Sequence, residues 1–145
     1  MSRIWKLLCR FRHRQEGASA VEFAIVVPVF LMILFGIIIF GGYLSVVHSV
    51  QQLAAEAARA SIGGLSDNER TALANSNIQT QAGFYPFIER SRLVVESAST
   101  NAATSTFTVR LRYDASQSFI YSLPSLVPMP SPQIVRSAAI QRGGY

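Results

Sequence analysis

Glu22 is the residue whose setting says most about chemistry. It is a carboxylate directly before Phe23, at the start of an apolar run, and no Asp, Glu, Lys or Arg occurs between Phe23 and Ala55. A carboxylate at a membrane edge is solvated by headgroups, whereas one held deeper is costly unless a cation pairs with it. Taken by itself, Glu22 reads as interfacial. Pro28 lies one and a half turns further in. It removes a backbone hydrogen bond and is expected to kink or locally open a helix, although proline is also commoner in membrane helices than in soluble ones. The small residues Gly17, Ala18, Ser19 and Ala20 stand before the apolar run. That order is the reverse of a secretory signal peptide, where a small-residue cleavage site follows an apolar region of about 7–15 residues.

Catalysis has little to work with. His13 lies in the basic leader, and His48 stands alone beyond the apolar run. There is no HExxH, no cysteine pair, no P-loop and no GxSxG, and the acids are scattered singly. The expectation is a chain that is not an enzyme and has no cofactor or metal ligands. Arg110 and Arg112 occupy alternate strand positions and are expected to be solvated on one face, with Arg90 and Arg92 nearby. The single Cys9 allows no intrachain disulfide.

The elements that place these residues follow from charge and length. Of the formal net charge of +5, Arg3, Lys6, Arg10, Arg12 and Arg14 against Glu16 account for +4 within the first seventeen residues. The basic excess is therefore a tail rather than a folded face, which argues against nucleic acid as a partner. Residues 23–44 read FAIVVPVFLMILFGIIIFGGYL. As a helix they extend about 33 Å, enough to cross a hydrocarbon core of about 30 Å. The basic residues precede the span and none follows it until Arg59, so the positive-inside rule expects a cytoplasmic N-terminus and an extracytoplasmic remainder. Tyr43 falls at the outer interface.

The motif Gly17-Ala-Ser-Ala-Val-Glu22-Phe23 before a long apolar helix resembles type IV pilin-like proteins. Its continuation is more specific. GASAVEFAIVVPVFLMILFGIIIFG followed by LAAEAARA resembles the TadE-like family of the tight-adherence (Flp) pilus system, with Phe35-Gly36-Ile37-Ile38-Ile39-Phe40-Gly41 closing the apolar stretch. The resemblance is strong over residues 16–62. It implies cleavage between Gly17 and Ala18 by a membrane-embedded prepilin peptidase, and a mature chain of residues 18–145. Gly17 suits that step, because a residue without a side chain lets a protease approach the backbone. Cleavage creates an ammonium at Ala18, and Glu22, one helical turn on, is placed to pair with its own or a neighbour's N-terminus. Phe23 follows Glu22 as in the family motif. The leader departs from the pattern in its length and in the acid at Glu16.

Beyond the span, Tyr43, Val46, Val47, Val50, Leu53, Ala54, Ala57 and Ala58 recur at helical spacing, opposite His48, Gln51, Gln52, Glu56 and Arg59. Glu56 and Arg59 are spaced to pair at i, i+3. One helix of about forty-five residues is expected to run from the membrane to Gly63-Gly64, where glycine ends it. Its Ala-rich stripe could pack on the outer domain or between subunits. Ser66-Asp67-Asn68-Glu69 is a capping box for a second helix that stops before Gly83. Residues 92–96, 106–113 and 134–141 read as strands. Of these, 106–113 alternates strictly, with Phe107, Val109, Leu111 and Tyr113 on one face. Residues 97–105 read as a polar turn. Pro124, Pro128, Pro130 and Pro132 make 122–133 a loop whose Leu, Val and Met content needs something to pack against. Residues 142–145 read as frayed.

The fold class expected is α+β: a long N-terminal transmembrane-to-periplasmic helix, a second short helix and a small antiparallel sheet of about three strands. The domains are a leader (1–17), a transmembrane helix (18–44) and an extracytoplasmic α+β domain (45–145) that includes the helix continuation 45–62. The function expected is that of a non-catalytic minor pilin or pseudopilin in the inner membrane. Its partners would be the prepilin peptidase, other pilin-like subunits, the assembly platform and membrane lipid, and the pilus would serve attachment and biofilm formation. The alternatives are an uncleaved single-pass anchor with a protein-binding outer domain, and a membrane-tethered enzyme that shares a site with a partner.

Overall fold

The computed structural model describes residues 15–141. The basic residues Arg3, Lys6, Arg10, Arg12 and Arg14, together with Cys9, His13 and residues 142–145, lie outside the described residues. The element order is a helix α1 (Gln15–Ala60), a helix α2 (Asp67–Gln81), and three strands β1 (Leu93–Asn101), β2 (Thr106–Asp114) and β3 (Gln133–Gln141). The strands form one antiparallel sheet in the order β1-β2-β3. The fold is α+β, with the long helix, the short helix and the three strands expected.

At 46 residues, α1 is about 69 Å long. Its C-terminal third carries the apolar stripe onto the chain's own domain. Val46, Val50, Leu53, Ala54, Ala57 and Ala58 are buried against Phe107, Val109, Leu111 and Tyr113 of β2 and Ile134 of β3, with Ala74 and Ile78 of α2 closing the core. Of the two uses open to the Ala-rich stripe, packing on its own domain is the one observed. The opposite side behaves as its polarity dictates: His48, Gln52 and Arg59 are exposed.

The glycine end of the long helix differs in detail from the cap expected. Gly63-Gly64 does end the helix, through a 3-10 turn at Ser61–Gly63, but not with a left-handed cap. Gly64 is extended (φ −79°, ψ 134°) and its N–H donates to the carbonyl of Ser61. Its glycine is required by space. A Cβ there would lie 2.7 Å from the backbone nitrogen of Arg70 and 2.6 Å from that residue's Cγ, because the first turn of α2 folds back against it. That turn is capped as the capping box predicts: the Glu69 N–H donates to Ser66 Oγ, and the Glu69 carboxylate reaches back to the N–H of Leu65.

The turn expected over residues 97–105 is shorter, because β1 continues through Ser97–Asn101 opposite Thr106–Arg110. Polar residues are tolerated in this edge strand since only one of its faces meets the core. The register slips between Val95 and Ser97, a bulge that leaves Glu96 unpaired in the ladder. The bulge turns Glu96 onto the outer face, where it pairs with Arg110 at 2.9 Å and Arg112 at 3.1 Å. These arginines are thus bridged by one carboxylate rather than simply solvated. Glu56 likewise does not pair with Arg59. It accepts a hydrogen bond of 2.8 Å from the Tyr85 hydroxyl, which ties the segment after α2 to α1.

Candidate functional site

Gly17, Ala18, Glu22, Phe23 and Pro28 all lie in the first four turns of α1. The Gly17–Ala18 peptide is helical and lies near the beginning of the described part of α1. Glycine at position 17 lowers the local helix propensity by ~1 kcal/mol. Glu22 is about 6 Å along the axis from Ala18. It is exposed and, among the described residues, has no intramolecular hydrogen bond or ion pair. Phe23 is 71% exposed. The helix continues through Pro28, whose nitrogen has no hydrogen to give to the carbonyl of Ala24.

Apolar side chains surround this stretch on every side. Val21, Ile25, Val26, Val29, Phe30, Ile33 and Ile37 are each half or more exposed. A helix that is apolar all round requires a nonaqueous environment, either lipid or other helices. The segment Ala18–Gly63 contains the chain's membrane-length apolar window, with mean hydropathy 3.1 and almost none of it buried within the chain. It is compatible with a single-pass membrane anchor. Among the described residues, no group of three or more His, Cys, Asp or Glu side chains is brought together.

Residues 17–59 match the family model described as TadE-like protein. Over that stretch, under a third of the chain, the sequence is similar to the TadE-like family. The TadE-like segment starts at the Gly17–Ala18 peptide, takes in Glu22, Phe23 and Pro28, and ends at Arg59, one residue before the end of α1. It associates the chain with the tight-adherence (Tad) pilus and with pilus assembly proteins in general. No curated protein and no solved structure matches. The sheet and α2 lie outside the TadE-like segment.

The far end of the apolar run has a second set of contacts that sequence reasoning did not place. Ile39 is completely buried. A Cβ on Gly42 would lie 2.8 Å from Ile120 Cγ2 and 3.0 Å from Phe119 Cζ, and one on Gly36 would lie 3.9 Å from Val127. The 3-10 turn Phe119–Ser122 and the proline loop after it therefore pack on the last two turns of the apolar run. Val127 is the loop residue brought against the apolar run, while Leu126 remains about half exposed. Beside the turn, Phe87 adopts a left-handed backbone (φ 68°), a conformation that costs a bulky residue about 1–2 kcal/mol. Buried Tyr113 holds it there. Its hydroxyl donates to the Phe87 carbonyl at 3.0 Å and accepts from the Glu89 N–H at 3.3 Å. The Phe87 ring meets Phe119 with centroids 5.5 Å apart. The available signal was the absence of any charged residue between Asp114 and Arg136.

Proposed function

We propose that this chain is a non-catalytic minor pilin or pseudopilin of a tight-adherence pilus system. It is inserted with its N-terminus in the cytoplasm, processed between Gly17 and Ala18 by a prepilin peptidase, and assembled through α1 with other pilin-like subunits on the assembly platform. The observation that carries the reading is Glu22: an exposed carboxylate, without a partner in its own described chain, one turn from Ala18 on a helix that is otherwise apolar all round. A carboxylate drawn from the membrane edge into a bundle of such helices requires a cation, and the ammonium created at Ala18, on the same or a neighbouring subunit, supplies one. Low dielectric inside a helix bundle strengthens the attraction and penalises a missing partner. Pro28 provides the point at which the helix can bend on moving from membrane to assembly. The pilus built this way serves attachment and biofilm formation.

The experiment is Glu22→Ala in pilus-bearing cells. The variant is expected to insert and be processed normally, yet to be depleted from the sheared pilus fraction and from cross-links to other pilin-like subunits. Assembly at the wild-type level would reduce Glu22 to an interfacial residue and remove the main support for the proposal.

A further inference from the structure

The apolar end of the outer domain has features that anchoring through α1 alone does not require. Counting from Phe23, Gly42 lies about 28 Å and Gly36 about 20 Å along the helix axis. A hydrocarbon core of about 30 Å that begins at Phe23 therefore ends close to Gly42. The loop that packs on Gly36 and Gly42 is consequently brought to the outer membrane boundary, with Val127 at Gly36 about 10 Å below it.

The loop is built for that place. Residues 115–135 carry no charge. Phe119, Leu126 and Phe87 are each about half exposed at this end. Irregular backbone is excluded from lipid when its polar groups are unsatisfied, and in this loop several of those groups are missing or paired. Pro124, Pro128, Pro130 and Pro132 have no N–H. The carbonyl of Pro124 accepts from the Leu126 N–H, that of Pro130 from the Tyr121 hydroxyl, and that of Pro132 from the Ala115 N–H. Tyr121, with Tyr43 near it on α1, has its hydroxyl pKa raised, first by burial and then by the Tyr43 and Asp114 charges. Tyrosines with an apolar body and a polar tip are the residues enriched at a membrane–water interface.

We propose that Phe87, Phe119, Leu126 and Val127 form a second membrane contact, a shallow wedge in the outer leaflet that fixes the depth and tilt of the domain on its helix. Interfacial elements bury an apolar face about 5–10 Å into the headgroup–acyl boundary, the depth at which the contact with Gly36 holds this loop. The strained backbone of Phe87 has a use in this arrangement, since it turns an aromatic ring toward Phe119 at the membrane end. The proposal rests on α1 spanning the bilayer, and it commits to lipid rather than a protein partner as the occupant.

The test uses the full chain with Cys9→Ser, reconstituted in phosphatidylcholine vesicles, carrying a single environment-sensitive fluorophore on Ile33→Cys, Leu126→Cys or Thr104→Cys in turn. Each label is challenged with bromine placed on the lipid acyl chains and with iodide in the water. Ile33, on the exposed flank of α1, should be quenched by acyl-chain bromine; if it is not, the spanning helix itself is refuted. With Ile33 so quenched, the proposal expects Leu126 to be quenched by bromine at shallow acyl positions and shielded from iodide, while Thr104 responds to iodide alone. A Leu126 label that follows Thr104 overturns the wedge. A Leu126 label shielded from both quenchers, increasingly so at higher protein-to-lipid ratio, also overturns it and assigns the surface to a protein neighbour.

Discussion

Gly41 and Gly42 are adjacent in α1, yet a methyl group added to each meets opposite surroundings. At Gly41 it finds nothing within 4 Å; at Gly42 it meets Ile120 at 2.8 Å and Phe119 at 3.0 Å. Neighbouring helix positions point about 100° apart, so one faces away from the domain and the other into the Phe119–Ser122 turn. Ile120 is 1% exposed, so it cannot swing out into solvent to make room. Both substitutions to alanine gain the same helix propensity, about 0.5–1 kcal/mol at most. That gain cancels when the two variants are compared, leaving the overpacking at Gly42, about 1–3 kcal/mol. For an outer domain of this size, 1 kcal/mol shifts the melting temperature by about 4–8 °C. In thermal unfolding followed by circular dichroism in detergent micelles, Gly42→Ala should therefore melt at least about 4 °C below Gly41→Ala, which should match or exceed wild type. Equal melting of the two variants would refute the docking of the turn on α1, and with it the geometry that places the proline loop at the membrane.

Three further outcomes follow from the outer domain. Gly64→Ala should destabilise by more than ~2 kcal/mol in denaturant titration, because its Cβ meets the backbone of Arg70, which cannot rotate away as a side chain can. Tyr85→Phe should lose about 1–2 kcal/mol, as expected for a part-buried hydrogen bond to a carboxylate. It should also change the alkaline limb of stability. Burial, and then the hydrogen bond to Glu56 and its charge, push the Tyr85 pKa up to about 12. A folded pKa raised above the unfolded value of about 10 gives stability that is complete below pH 10 and lost between about 10 and 12, so the denaturation midpoint of Tyr85→Phe should fall less over that window than that of wild type. Glu96→Gln should cost less than about 1 kcal/mol, since the ion pairs to Arg110 and Arg112 are exposed, and the difference should shrink in high salt.

The parts of the fold that were legible in the sequence are those governed by local periodicity. The stripe from Val46 to Ala58, the alternation of β2 and the capping box at Ser66 each state their structure within one or two turns of chain. The parts that were not legible depend on neighbours distant in sequence. Glu56 is spaced for Arg59, but Tyr85 arrives from the segment after α2 to take it. Glu96 sits in an edge strand, where a bulge aims it at two arginines of β2. Gly64 has the composition of a helix cap, yet it is glycine because Arg70 approaches. Within the candidate site, the run from Gly17 to Pro28 was legible because it is one continuous helical segment with a specific order of residues. The Phe87–Phe119 end was not, because it is assembled from two loops and the middle of α1.

The mass of the chain isolated from pilus-bearing membranes tests the central claim most directly. The account predicts a protein that begins at Ala18 and carries Glu22 as its fifth residue. An intact chain beginning at Met1, in cells with an active prepilin peptidase, would contradict it and leave an uncleaved single-pass anchor.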